Sequence, residues 1–189
     1  GRWVKVEFHI DLGDRVSFGF SGNSAFTAGR LASLVEEQRL LGLGKDYMTA
    51  IQGRIEEAYR EEGYANVIVA PYSFERPQAH ERHVTYVIDE GPRVLIEAVD
   101  FDGNQVFESD ELRKRFFELS SGLVQRGYYV EKEVQHSAEL LVEWIKSKGY
   151  LTSKLITINS IYPPKRRLEA AKSSVRLIIY IYEGYQTIV

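Results

Sequence analysis

The 189-residue chain contains no cysteine, which excludes a disulfide-stapled scaffold and any thiolate chemistry. No apolar run approaches the roughly 20 residues that a helix needs to cross a bilayer. The start is not expected to be a secretory leader: GRWVKVEFHI alternates polar and apolar residues, where a leader would show a basic region and then an apolar block. The expectation from that start is a cytosolic chain or an excised piece of an exported one. Charge of one sign does not dominate either. With 24 Lys and Arg against 27 Asp and Glu, a net charge of −3 gives no electrostatic reason to expect nucleic acid. Apolar residues at 44% and charged residues at 27% are ordinary for a globular protein.

Catalytic signatures are absent as well. FSGNSAF is not a nucleophile elbow, because Ser24 follows the turn and no G-x-S-x-G occurs. The glycines fit neither the P-loop nor the dinucleotide pattern. His9, His80, His83 and His136 fall on different elements without metal-ligand spacing, although His80 and His83 lie in or beside one polar turn. Asp89 with Glu90, and Glu61 with Glu62, are adjacent pairs whose side chains point different ways, which suits solvated charge better than paired acid and base. No enzyme activity, metal or cofactor is expected.

What the chain does have is repetition. VKVEFHIDLGDRV, HVTYVIDEGPRV and VRLIIYIYEGYQTIV are apolar strands that each run into a glycine: Gly13, Gly91 and Gly184. FSGNSAF matches FDGNQVF, and YREEGYANV matches IKSKGYLTS, in the same order. Self-similarity of this kind decides the fold before any local reading does. Each unit opens with a strand (Val16, Phe18, Phe20; Val99, Phe101) that turns at Gly22 with Asn23, or at Gly103 with Asn104. Thr27 and Ser109 are the expected N-caps of the helices that follow, which carry Leu31, Leu34, Val35 and Leu112, Phe116, Leu119 at helical spacing. A glycine-bearing loop leads to a second helix striped by Ile51, Ile55, Ala58, Tyr59 or by Val134, Ala138, Leu141, Ile145, with Trp144 beside the stripe. Gly63 and Gly149 stand where a helix C′ residue belongs.

Two strands close each unit. The last one is apolar at Val84, Tyr86, Ile88 and at Val175, Leu177, Ile179, Ile181; in the second copy Ile178, Tyr180 and Tyr182 make its other face hydrophobic too. Such a strand belongs at the sheet centre, whereas the strand carrying Pro71 belongs at an edge, because proline cannot donate to a ladder. The order is β-α-α-β-β, and about 80 residues of this layering can bury a marginal core. Lys165, Arg166 and Arg167 form the one basic cluster, expected as an exposed hairpin loop with contact to anionic headgroups as the alternative.

These features together resemble POTRA (polypeptide-transport-associated) domains. The resemblance rests on the Gly-Asn turn after the first strand, the Gly-Tyr pair closing the second helix (Gly63 and Tyr64; Gly149 and Tyr150), and the IDEG-like end of the last strand (Ile88 to Gly91; Ile181 to Gly184). It implies an α+β fold of two tandem units, each a three-stranded mixed sheet covered on one face by two helices, with Gly22, Gly63, Gly91, Gly103, Gly149 and Gly184 as structural glycines. The expected limits are 13–91 and 92–184, with 1–12 the last strand of a preceding unit and 185–189 the start of a following one. Departures are IDLG and IYEG for IDEG, and a long basic connection at 163–173 opposite a short one at 75–82.

The resemblance further implies a periplasmic module standing before a C-terminal outer-membrane β-barrel, through which alone it would meet the membrane. A BamA-type assembly factor is the first reading; a TamA-like or two-partner-secretion translocation pore is the alternative. Implied partners are unfolded outer-membrane proteins or secreted polypeptides, and accessory lipoproteins. The implied mode is β-augmentation, in which an extended chain adds a strand to a sheet edge. The expected edges are Ala65, Asn66, Val67, Ile68, Val69 and Ala70 in the first unit, and Thr152, Ser153, Lys154, Leu155, Ile156, Thr157 and Ile158 in the second. Gly91, Pro92 and Arg93 are the expected hinge between units.

Overall fold

Apolar residues at every second position make strands and at every third or fourth make helices. The computed structural model, which describes residues 5, 7, 15–42, 44–163 and 173–186, shows both periods where the chain carries them. The first repeat contains β1 (Arg15–Ser21), α1 (Ala28–Leu40), α2 (Tyr47–Glu61), β2 (Ile68–Arg76) and β3 (Glu81–Asp89), with a short 3-10 turn, Pro77–Ala79, between the last two. The second contains β4 (Val94–Asp102), α3 (Ser109–Leu119), a one-turn α4 (Gly122–Gln125), α5 (Glu131–Ser147), β5 (Lys154–Ile161) and β6 (Ser173–Tyr182). The fold is α+β, as expected, with one addition: α4, hidden in the loop between the two helices of the second repeat.

Each sheet is mixed and three-stranded, in the orders β1-β3-β2 and β4-β6-β5. The last strand of each repeat is central, and the Pro71 strand is at an edge. β1 runs parallel to β3, with Phe18 opposite Val84 and Phe20 opposite Tyr86. β4 runs parallel to β6, while β5 is antiparallel to it. Alternate residues of the central strands (Val84, Tyr86, Ile88; Val175, Leu177, Ile179, Ile181) are buried, as are the helix stripes at Ile51, Ile55, Tyr59 and at Val134, Ala138, Leu141, Ile145. Each such aliphatic side chain contributes about 1.5–3 kcal/mol on burial.

The chain divides into two compact units, and the division falls inside α2: the helix up to Gln52 goes with the first unit, and Gly53–Ile68 goes with the second. In the first, Tyr86 stacks against Phe18 and Phe20 and its hydroxyl donates to the Met48 carbonyl at 3.2 Å. Burial raises the Tyr86 phenol well above its ordinary pKa. In the second, the core is continuous from Val94 and Val99 through Leu112, Phe116 and Leu141 to Leu177 and Ile179.

Thr27 caps α1 as its sequence position suggests, accepting from the Arg30 amide at 3.2 Å. Ser109 does not cap α3. The N-cap is Glu108, and the Ser109 hydroxyl instead accepts from the Asn104 side-chain amide at 3.2 Å, so the turn asparagine takes the group that would have capped the helix. Trp144 packs against Phe107 with ring centroids 5.3 Å apart. Residues 8–14, most of 1–7, the 164–172 connection and 187–189 lie outside the described residues. With them lie the expected flanking strand at 3–12, His9, and the basic cluster at Lys165, Arg166 and Arg167. No helix among the described residues is long and apolar enough to cross a membrane.

Candidate functional site

In the second repeat the three sequence landmarks meet in space at one end of the sheet, and in the first the Gly-Asn turn meets the end of the central strand. Gly22 has φ +85, and a Cβ there would stand 2.1 Å from the Ile88 carbonyl oxygen; Gly103 has φ +86 and would meet the Ile181 carbonyl at the same 2.1 Å. The Gly-Asn turn is therefore pressed against the end of the central strand, where only glycine has both the conformation and the room. The asparagine of each turn donates to the phenylalanine carbonyl three residues on: Asn23 to Phe26 at 2.9 Å and Asn104 to Phe107 at 2.8 Å. That bond explains why the match extends through FSGNSAF and FDGNQVF and not only through Gly-Asn.

The acidic residue of the strand-end motif completes the knot. Glu183 is buried, and its carboxylate accepts the backbone amides of Gln105 and Val106 at 2.7 Å and of Phe107 at 3.1 Å. A buried charge is tolerable because three donors satisfy it. Glu90, its counterpart, accepts the Tyr59 hydroxyl at 2.7 Å. Gly184 (φ +74) is pressed against Thr152, and the Ser153 hydroxyl donates to the Glu183 carbonyl at 2.7 Å, tying in the Gly-Tyr turn. This end of the unit is an architectural joint, with its polar groups consumed internally.

The groups left for a ligand lie along the outer strands. β2 and β5 terminate their sheets. On β2, Ile68, Tyr72 and Phe74 are 63%, 64% and 62% exposed, a density of apolar surface that an edge strand ordinarily avoids. The edges differ in extent from those expected. Ala65, Asn66 and Val67 precede the strand, which begins at Ile68 and runs on to Arg76; Val67 and Val69 are buried, while Ala70 is half-buried. Tyr72 and Phe74, beyond the expected window, are the most prominent side chains of this edge. Thr152 and Ser153 likewise precede β5, and Ser153 is buried because its hydroxyl bridges Tyr150 and Glu183. Lys154, Leu155, Ile156, Thr157 and Ile158 are on the strand.

β5 carries an irregularity that no local pattern announces. Leu155 faces Ile181 and Thr157 faces Tyr180, so Ile156 is an extra residue. Such a bulge kinks and twists an edge. Farther along, the Ser160 hydroxyl lies 3.1 Å from that of Tyr129. Burial raises the pKa values of Tyr129 and of Tyr162, so both phenols stay protonated and available as donors. Lys154 reaches over the Tyr182 ring at 5.6 Å.

Among the expected hinge residues, Gly91 has φ +58 and its amide donates to the Asp89 carboxylate at 3.3 Å. Within the second compact unit, Arg93 lies over the Tyr64 and Tyr128 rings at 5.3 and 5.2 Å and pairs with Glu62 at 3.5 Å. His83 is on β3, with its Nδ1 2.8 Å from the Ser17 hydroxyl; no group of three metal-ligating side chains is assembled among the described residues.

Comparison with known proteins gives the same fold. Residues 94–184 match the family described as POTRA, surface antigen variable number repeat. A putative outer membrane protein assembly factor of Treponema pallidum is 23% identical over 169 residues, which is 87% of this chain but 19% of that protein. The chain thus spans about a fifth of the length of that relative. The crystal structure of BamA POTRA3-5 from Haemophilus influenzae aligns with a TM-score of 0.52 at 17% identity, over 90% of this chain and 61% of that one. The N-terminal domain of Omp85 from Thermosynechococcus elongatus aligns with a TM-score of 0.48 at 17% identity, over 88% and 61%.

Proposed function

Because residues 94–184 match the POTRA family and the same fold is repeated before them, we propose that the chain is a periplasmic POTRA scaffold of an outer-membrane protein assembly factor. In that role it receives unfolded outer-membrane proteins, or accessory partners, by strand addition at β2 and β5. The observation that carries the reading is the pair of terminal strands, above all β2 with exposed Ile68, Tyr72 and Phe74. Main-chain hydrogen bonds along an edge demand no particular sequence, which suits a receptor for many different chains. Each adds only about 0.5–1.5 kcal/mol net, so a short added strand binds weakly and hand-off stays easy. We take the units as 13–91 and 92–184, with flexing expected at Gly91, Pro92 and Arg93.

Chemical-shift mapping with an extended peptide from an outer-membrane protein tests the proposal. Perturbations should follow β2 and β5, and Phe74→Lys should weaken those on β2. Perturbations confined to the helices would rule out strand addition.

A further inference from the structure

The end of α2 holds the chain that follows it, and its counterpart at the end of α5 carries the opposite charge. The second compact unit contains the C-terminal half of α2 and the Gly63-Tyr64 turn. Within that unit the Gly63 carbonyl accepts the Val94 amide at 3.0 Å, and the Asn66 side-chain amide donates to the Ser173 hydroxyl at 3.1 Å. Ala65 is partly buried against the core around Val94 and Val175. Glu57 and Glu61 pair with Lys132, and Glu62 pairs with Arg93 at 3.5 Å. Arg93 also lies over Tyr64 and over Tyr128, the residue that bridges Leu95. Carboxylates at a helix C-terminus oppose the helix dipole, so the two cations they hold account for their place there.

The same turn closes α5, with its surface changed. Gly149 has φ +97 where Gly63 has +90. The Ser153 amide donates to the Tyr150 carbonyl at 3.0 Å, as the Val67 amide does to that of Tyr64 at 3.2 Å. Counted back from the turn glycine, Glu57, Glu61 and Glu62 become Glu143, Ser147 and Lys148. Glu143 is taken by Lys146 at 2.7 Å. Lys148 is exposed and stands over the Trp144 ring at 5.4 Å, which Arg115, itself paired with Glu118, approaches at 5.0 Å. The sign of the patch is inverted. Leu151, in the place of Ala65, is 58% exposed. Gln186 stands two after Gly184, as Arg93 stands two after Gly91, so the cation facing Glu62 is also gone where Lys148 replaces that acid.

We propose that the end of α5 and its turn, at Lys148 to Leu151, are a docking surface for an acidic polypeptide partner. The partner brings an apolar side chain to Leu151, a carboxylate to Lys148, and no cation of the kind that Lys132 offers to Glu57 and Glu61. A second copy of this chain, offering Arg93 and Lys132, meets Lys148 with like charge, and like charges brought together at an interface select against the wrong partner. The surface lies at a helix end and not on β2 or β5, so failure of strand addition leaves the proposal standing.

The test uses the 189-residue chain and two synthetic peptides. One is residues 89–98, the stretch that meets the Gly63 turn; the other is the same peptide with Arg93→Glu. With the substituted peptide, amide shifts are expected at Lys148, Gly149, Tyr150 and Leu151 and at the Trp144 indole. It should bind about fivefold more tightly than the unsubstituted peptide. Lys148→Glu in the protein should reverse that preference by a similar factor, about fivefold, and Leu151→Asp should weaken both peptides. Equal affinities, no shifts at 148–151, or a preference that survives Lys148→Glu would overturn the proposal. So would self-association that Lys148→Glu abolishes, because a second copy would then be the occupant.

Discussion

The two repeats agree where backbone meets backbone and diverge where the chain meets solvent. Gly22 and Gly103 take φ values of +85 and +86 against the same carbonyl, at the same distance, although the flanking residues differ. The connections between the helices share almost nothing: one leaves two leucines in water, and the other folds into α4 and a strand-like cover. A repeat of this kind keeps the contact that fixes the end of its central strand and is free to vary what lies along its outer edges. The differences between its units therefore lie along those edges.

The most severe way to break the comparison is at the shared contact. Gly103→Ala and Gly22→Ala each place a Cβ against a carbonyl oxygen in a left-handed conformation, and each should destabilise its own unit by roughly 3–4 kcal/mol. Unit-resolved hydrogen exchange should show the loss in the mutated repeat; a loss spread evenly over both would mean that the repeats do not unfold separately.

Next in size is the buried carboxylate. Glu183→Ala leaves three backbone donors without their acceptor and should cost about 3 kcal/mol, with Glu183→Gln intermediate. Glu90→Ala removes at least the bond from Tyr59, about 1 kcal/mol. Denaturant titration of the three variants measures how far the two strand-end acids have diverged.

The smallest pair of effects is at the connections. Val124→Ala hollows out a buried position and should destabilise by about 2 kcal/mol, whereas Leu41→Ala should change stability by less than about 0.5 kcal/mol. A large loss at Leu41 would show that its side chain is structural despite its exposure.

The order of strands and helices, the central position of the last strand, the helix stripes and the placement of Pro71 at an edge were legible because periodicity and proline act locally. What was not legible depends on partners distant in sequence. The Glu183 carboxylate serves amides nearly 80 positions away, and nothing around Glu183 itself announces it. The cover over β4 requires the 127–129 segment to meet residues more than 30 positions earlier. Of the edge residues, Val67 and Ser153 were misjudged for a related reason. Their sequences suit a strand, but the turn that follows each Gly-Tyr pair buries them before the strand begins.

The extra residue at Ile156 acts as a ruler. Past it, the regular ladder of β5 runs only over 157–161, which at ~3.3 Å per residue is roughly 16 Å of usable edge. A chain many times longer than that cannot be gripped by one such edge. If strand addition is the mode, as proposed above, such a chain is held by several short footholds at once, and retention then depends on how many edges are presented and how closely they are spaced, through effective concentration more than through the strength of any single grip.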